Sequence, residues 1–153
     1  MTVLRGSTAA VTGAASGIGR ALAIALAARG CDLALADRDE AGLQTLAAEI
    51  GGKQKVTTHR VDVGEPAQIA DFAQGAIAAH PALNILVNNA GVALLGQFGE
   101  IEQAQMDWLT NINFWGVVHA TRAFLPQLST RPEAHVVNLS SLFGLVAPPG
   151  RRV

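Results

Sequence analysis

Short apolar runs alternate with amphipathic segments along the whole of this 153-residue chain. The apolar runs predict five β-strands, at positions 8–12, 32–37, 55–61, 84–87 and 135–140. The amphipathic segments predict four helices, at positions 20–29, 40–50, from 65–66 onward and at 103–128. Strictly alternating strands and helices are typical of a parallel sheet covered by helices on both faces.

Two of the runs differ in a way that places them in the sheet. Run 32–37 is almost continuously apolar inside its acidic ends, as expected for a strand buried on both faces. Run 55–61 alternates apolar and polar residues, which favours an edge strand. Asp39 stands where a helix N-cap is expected, just ahead of segment 40–50.

Segment 103–128 is predicted as one long helix. Its middle is apolar most of the way round, so we expect one side to face the sheet and another to face a partner subunit or a further helix. Asn113 is a polar residue inside this apolar stretch.

Composition narrows the class of protein. Half of the residues are apolar, 15% are charged and the net charge is −1, which favours one globular domain over residues 1–153 and gives no basic field for nucleic acid. No apolar run is long enough to span a membrane, and the first seven residues lack a signal-peptide pattern. Cys31 is the single cysteine and is expected to be a buried structural residue. We therefore expect a cytoplasmic protein without a metal site.

Three glycines follow the first predicted strand and open the first predicted helix. Gly13 allows a sharp turn, a bare Gly17 allows the backbone to approach a pyrophosphate, and a bare Gly19 allows the helix to pack close to the strand. The N–H groups at the start of the helix then face the phosphates. This order predicts a dinucleotide cradle; the alternative is a tight strand-to-helix turn without a ligand.

The residues after the second strand bear on the choice of dinucleotide. Asp37 lies 18 residues after Gly19, where an acidic residue can accept hydrogen bonds from the adenosine ribose and repel a 2′-phosphate. This favours NAD over NADP. Arg38 can pair with that phosphate, so NADP stays possible; the alternative for Arg38 is a solvated loop cation.

Polar residues also follow the third and fourth predicted strands. Asp62 and Val63 come after one, and Asn88, Asn89 and the following Ala-Gly come after the other. Ligands of doubly wound sheets collect at these strand ends. Two adjacent asparagines at the end of a buried strand need partners, so they either clamp neighbouring strands or form a wall of the cofactor site, and both can hold.

Four motifs in order and spacing resemble the short-chain dehydrogenase/reductase family. They are Thr12-Gly13-x-x-x-Gly17-Ile18-Gly19, Asp62-Val63, Asn88-Asn89-Ala90-Gly91 and the Asn-Leu-Ser-Ser run at 138–141. The resemblance covers essentially every residue. A methyltransferase with a similar sheet is a poorer match, because three residues separate the first two glycines and the Asn-Asn-Ala-Gly run is present.

The resemblance implies a Rossmann-type doubly wound α/β fold with strand order 3-2-1-4-5, and hydride transfer between NAD(P) and a carbonyl or alcohol. It implies that Ser141 orients the substrate and that Asn113 supports a proton relay through water. Family members form homo-oligomers. The implied cofactor-binding residues are Gly13, Ser16, Gly17, Ile18 and Gly19 for the pyrophosphate, Asp37 with Arg38 for the ribose, Asp62 and Val63 for the adenine, and Asn89, Ala90 and Gly91 beside the adenosine.

The family's acid/base pair has no counterpart in these residues. The family uses a tyrosine followed four residues later by a lysine, and its spacing puts the tyrosine just beyond Val153. The chain contains no tyrosine, and its lysines are Lys53 and Lys55, ahead of the third strand.

The family's last two strands and the helix that carries the tyrosine are also expected beyond Val153. The ending at 148–153 differs from the usual continuation. We therefore expect an incomplete domain that lacks activity by itself; the alternative is a non-catalytic NAD-binding module or a partner of a full-length relative.

Overall fold

Five parallel strands form a single sheet in the order β3-β2-β1-β4-β5. The structure, a computed structural model, describes residues 4–144 apart from the side chains of Phe98 and Phe143; the ending at 148–153 lies outside that range. The strands are β1 (Thr8–Thr12), β2 (Asp32–Asp37), β3 (Val56–Arg60), β4 (Ile85–Asn88) and β5 (His135–Asn138). The predicted fold class and strand order are confirmed.

The helices follow the strands in the predicted alternation. They are α1 (Gly17–Ala28), α2 (Glu40–Ile50), α3 (Pro66–Ala79), α4 (Gln103–Thr110) and α5 (Gly116–Leu128), with 3₁₀ turns at Phe98–Glu100 and Leu142–Gly144. Helix α1 begins at Gly17, ahead of the predicted position 20. Asp39 caps α2, as predicted, by accepting a hydrogen bond from the Gly42 N–H at 3.0 Å.

The sheet separates two apolar cores because successive side chains of a strand point to opposite faces. On one face, Val11 and Leu35 pack with Leu26 of α1 and Leu46 of α2. On the other face, the intervening strand residues pack with α3 and α5. That second core includes Ala10, Ala34, Leu86, Phe72 and Phe124. Helices on both faces make this the doubly wound arrangement.

Strands β3 and β5 form the two edges. All four residues of β5 are exposed, including Val136 and Val137. β5 ends at Asn138 rather than the predicted 140, because its partner β4 ends opposite it at Asn88. β4 itself is shifted by one residue from the predicted 84–87.

The predicted continuous helix at 103–128 is wrong. α4 and α5 are separated by a π-helical turn, Asn111–Trp115, in which hydrogen bonds are made five residues apart instead of four. Asn111 and Asn113 in this turn donate to loop carbonyls outside the helix. The exposed faces of Phe114 and Trp115 agree with the expectation that one side of this segment does not face the sheet.

Cys31 is fully buried at the start of β2, as predicted. Its thiol donates to the Leu4 carbonyl at 3.1 Å. Burial, together with the nearby Asp32 carboxylate, raises the pKa of this thiol. Both effects disfavour the reactive thiolate.

Two histidines share one hydroxyl at the β3 edge. The Nε2 atoms of His59 and His80 lie 3.0 and 3.1 Å from Thr57 Oγ1. Burial lowers the pKa of both rings; for His59 the neighbouring His80 adds to this, and for His80 Lys55 lowers it further while Asp32 opposes. Burial therefore favours the neutral form of both rings.

This pair makes stability depend on pH. Because the folded pKa values lie below 6.5, the unfolded chain binds more protons as the pH falls. We expect the free energy of unfolding to be highest above about pH 6.5 and to decrease as the pH falls through the lowered values. Urea unfolding of the chain and of His80→Gln at pH 8 and pH 5.5 checks this, since the variant should lose less stability on acidification. An equal loss in both proteins contradicts it.

Candidate functional site

The carboxyl ends of β1 to β4 surround a cleft with a volume of about 340 Å³. This is within the range of small-molecule sites, and the position is where doubly wound sheets bind ligands. Its lining residues are Gly13, Ser16, Gly17, Ile18, Asp37, Arg38, Val61, Asp62, Val63, Asn89, Ala90, Gly91, Val92 and Ile112. The structure therefore brings the predicted cofactor-binding residues together, except Gly19, which lies buried behind the turn.

The glycine turn adopts backbone conformations that other residues reach only under strain. Gly13 has a φ of +65° and Gly17 a φ of +53°. A Cβ built on Gly19 would lie 2.1 Å from the Gly13 carbonyl oxygen and 2.4 Å from Asn89 Nδ2. Close packing of α1 against the strand end therefore requires a glycine at position 19.

The first turn of α1 opens on this cleft. Ser16 is the N-cap residue, and its side chain makes no capping hydrogen bond. The N–H groups of the first turn have no partner within the helix and carry the positive end of the helix dipole. Nothing lies within 4 Å of a Cβ built on Gly17, so a ligand can approach the backbone there. This geometry suits an anion such as a phosphate.

Asp37 ties the end of β2 to the glycine turn. One carboxylate oxygen accepts the Ala15 N–H at 2.9 Å, and the other accepts the Asp39 N–H at 3.0 Å. A carboxylate has about four acceptor positions, so it can accept further hydrogen bonds from a ligand in the cleft. Arg38 is exposed next to it on the cleft wall.

The loop after β3 forms another wall. Asp62 accepts the Gly64 N–H at 2.9 Å, and its own N–H donates to Gln68 of α3 at 2.8 Å. These bonds keep Asp62 and Val63 against the cleft. Beside them lies Ile112, which is 7% exposed.

The two asparagines after β4 have separate tasks. The Asn88 amide donates to Thr121 and Asn138, which ties β4 to α5 and β5. The Asn89 amide donates to the carbonyls of Thr12 and Gly13, both at 3.0 Å, and so holds the glycine turn. The structural clamp is present, and Asn89 also lines the cleft; its part in a cofactor site stays a prediction.

Thr12 stands in the first motif, but the sequence assigned it no role in this site. Its buried hydroxyl accepts N–H groups from Asn89 and Ala90, both at 3.1 Å, and lies 3.4 Å from the Val87 carbonyl oxygen. A threonine at the end of an apolar strand looks like an ordinary strand residue. Its partners lie more than seventy residues away, so no local pattern marks it.

Replacing Thr12 with valine should lower the free energy of unfolding by about 2 kcal/mol, because two N–H groups lose their acceptor while side-chain volume is kept. Thr12→Ser retains the oxygen and should recover most of that stability. Urea unfolding of the three proteins tests this. Serine and valine variants of equal stability would show that the hydroxyl contributes little.

Neither of the two predicted catalytic residues is among the residues that line the cleft. Asn113 accepts the Val92 N–H and donates to the Val92 carbonyl, both at 2.9 Å. Ser141 is exposed after β5, and its carbonyl accepts the Gly144 N–H. Their catalytic roles stay predictions.

Strand order, glycine turn and acidic β2 terminus together define a Rossmann-type nucleotide-binding fold. The family model for short chain dehydrogenases matches residues 7–153, and the chain belongs to that family. The resemblance inferred from the four motifs is thereby confirmed.

Curated relatives are similar to this sequence over almost its full length. A Mycobacterium tuberculosis protein named as an oxidoreductase, SadH, is 40% identical over 154 residues, covering 99% of this chain and 55% of the relative. The oxidoreductase UcpA of Escherichia coli is 38% identical over 152 residues, covering 98% of this chain and 57% of the relative. The chain thus spans little more than half the length of these relatives.

Solved structures agree with the fold. A short chain dehydrogenase/reductase from Burkholderia phymatum in complex with NAD has a TM-score of 0.90 and 35% identity, covering 99% of this chain and 54% of that one. A 3-ketoacyl-(acyl-carrier-protein) reductase from Brucella melitensis complexed with NADH has a TM-score of 0.87 and 29% identity, covering 97% and 61%. Within residues 4–144, no helix is both long and apolar enough to cross a membrane.

Proposed function

We propose that residues 1–153 form the NAD-binding domain of an NAD(P)-dependent oxidoreductase that transfers hydride between nicotinamide and a carbonyl or alcohol. The observation that carries the proposal is the convergence of the glycine turn, the open N-terminus of α1 and the Asp37 carboxylate on one cleft. The names of the similar structures, one with NAD and one with NADH, support it.

The residues of the cleft fit a dinucleotide. Gly13, Ser16 and the N–H groups of residues 17–19 would hold the pyrophosphate, because a backbone without Cβ atoms can approach it closely. Asp37 would accept the hydroxyls of the adenosine ribose. Asp62 and Val63 would border the adenine, and Asn89, Ala90 and Gly91 would line the adenosine side.

We favour NAD over NADP. The Asp37 carboxylate is fixed by two backbone N–H groups at the position that a 2′-phosphate would approach, and two anions there repel each other. Arg38, exposed beside it, is the group that could pair with such a phosphate.

A bound nicotinamide would supply the hydride chemistry. This chain's part is to fix the adenosine half, while Ser141 would orient the carbonyl or alcohol and Asn113 would support the proton relay. The chain has no tyrosine, and Lys55 lies at the amino end of β3, where its ammonium donates to Ala79. General acid–base catalysis contributes about 10²- to 10⁴-fold in rate, so we infer that the 153-residue chain binds NAD without turnover.

Two measurements test this proposal. Calorimetric titration of the purified chain should give a saturable heat with NAD. Incubation with NAD and a panel of short alcohols should produce no NADH absorbance. Absence of NAD binding contradicts the binding assignment, and sustained NADH production contradicts the inferred lack of turnover.

A second candidate is a non-catalytic NAD-binding module that pairs with a full-length relative. It is favoured by the adenosine half of the cleft being assembled from residues of this chain alone. This candidate would be supported if the chain bound NAD and formed a stable complex with such a relative, while the turnover of the relative stayed unchanged.

Cellular setting and assembly are also proposals. We place the protein in the cytoplasm, supported by its single buried cysteine. We propose a homo-oligomer, supported by the exposed aromatic rings of Trp108 in α4 and of Phe114 and Trp115 in the π-helical turn.

A further inference from the structure

The π-helical turn Asn111–Trp115 places one buried residue between two exposed asparagines. Ile112 packs into the floor of the cleft, and Asn111 and Asn113 flank it in sequence. Wider turns of this kind inside helices occur frequently at functional sites. The contacts of the two asparagines indicate the function of this π-helical turn.

Asn111 holds the loop that follows β3. Its Nδ2 donates to the Gly64 carbonyl at 3.2 Å, while the Gly64 N–H donates to Asp62. A Cβ built on Gly64 would lie 3.6 Å from Ile112, so the loop packs directly on the turn. Just beyond the turn, a Cβ on Gly116 would lie 3.0 Å from the Val63 carbonyl oxygen, which shows the same close approach.

Asn113 holds the loop that follows β4. Its amide makes a pair of 2.9 Å hydrogen bonds with the N–H and carbonyl of Val92, the residue after Gly91 on the cleft wall. The asparagines on either side of Ile112 therefore bond to different loops. Asn111 bonds to the loop after β3, and Asn113 bonds to the loop after β4.

These two loops cannot bond to each other through the sheet. β2 and β1 stand between β3 and β4, so the strands that lead into the two loops are three strand spacings, or roughly 14 Å, apart. Beyond the strand ends the loops approach each other, since Val63 and Ala90 line the same small pocket. The side chains of Asn111 and Asn113 add a hydrogen-bonded link to each loop, so the π-helical turn contributes to fixing the relative positions of the two loops.

We propose that the π-helical turn sets the separation of the two cleft walls, with Asn111 as the positioning residue for the Asp62–Gly64 wall. This rests on the proposed NAD-binding function. Asn111 does not itself contact the ligand in this proposal; it acts through the Gly64 carbonyl and so through Asp62 and Val63.

The test compares two neutral substitutions that each remove an amide donor. Asn111→Leu removes the bond to Gly64, and Gln127→Met removes the equivalent bond from α5 to the Pro81 carbonyl at the opposite end of the sheet. Calorimetry with AMP and with NAD should show Kd values about fivefold higher for Asn111→Leu, as expected for one hydrogen bond, and unchanged for Gln127→Met. Asn111→Gln keeps an amide donor and should restore most of the affinity.

Amide exchange with solvent, measured by NMR, separates positioning from general loosening. Asn111→Leu should speed exchange at Gly64 and Glu65 while leaving Val92 unchanged, and Asn113→Leu should do the reverse. Faster exchange at both loops in Asn111→Leu, or the same Kd values as the unaltered chain, overturns the inference while NAD binding stands. Failure of the unaltered chain to bind either AMP or NAD overturns the proposed function as well.

Discussion

Gly19→Ala is expected to lower the free energy of unfolding by about 3 kcal/mol and to raise the Kd for NAD roughly 100-fold. The added Cβ would lie 2.1 Å from the Gly13 carbonyl oxygen and 2.4 Å from Asn89 Nδ2. Neither neighbour can yield alone, because Asn89 Nδ2 also holds the carbonyls of Thr12 and Gly13. The start of α1 must therefore move away from the strand, and the N–H groups proposed to bind the pyrophosphate move with it.

Gly52→Ala is the matched control. Nothing lies within 4 Å of a Cβ built there, so the same chemical change should alter stability by no more than about 0.5 kcal/mol. Urea unfolding gives the stabilities, and calorimetric titration gives the Kd for NAD. A Gly19→Ala protein with normal stability and affinity would show that the turn and the helix can separate without consequence.

Asp37→Asn is expected to raise the Kd for NAD roughly 10- to 100-fold and to raise the Kd for NADP far less. The substitution removes the charge that would accept both ribose hydroxyls and repel a 2′-phosphate. It also leaves a single oxygen to accept the two N–H groups of Ala15 and Asp39. The preference between the two dinucleotides should therefore narrow or reverse, with Arg38 available to the added phosphate.

Asp39→Asn serves as the control, because that side chain caps α2 and asparagine caps about as well as aspartate. Titrations with NAD and NADP of all three proteins give the comparison. If Asp37→Asn weakened both dinucleotides by the same factor, the carboxylate would act through the glycine turn alone rather than on the ribose.

The sequence predicted the fold well because the signals that define it are local. Continuous apolar character marked β2 as buried, and alternation marked β3 as an edge; both predictions are confirmed. The cleft was predictable for a related reason: its residues directly follow strands, and parallel strands end at the same edge of the sheet. Gly13, Asp37, Asp62 and Asn89 were found in this way.

Features that depend on distant partners were missed. The apolar pattern of 103–128 does not reveal the π-helical turn, whose Asn111 and Asn113 side chains bond to residues 47 and 21 positions earlier. The role of Thr12 was missed for the same reason. The roles of Ser141 and Asn113 come from the resemblance alone and stay predictions, since neither lines the cleft described here.

Cys31 gives this chain a built-in chemical reporter. It is the single cysteine of the sequence and fully buried, and its raised pKa keeps it in the unreactive thiol form. A thiol-alkylating reagent should therefore modify the protein at one atom, and only when the structure around Cys31 opens. The labelling rate, followed by mass spectrometry, would measure how often the amino end of β2 and its surroundings open under native conditions.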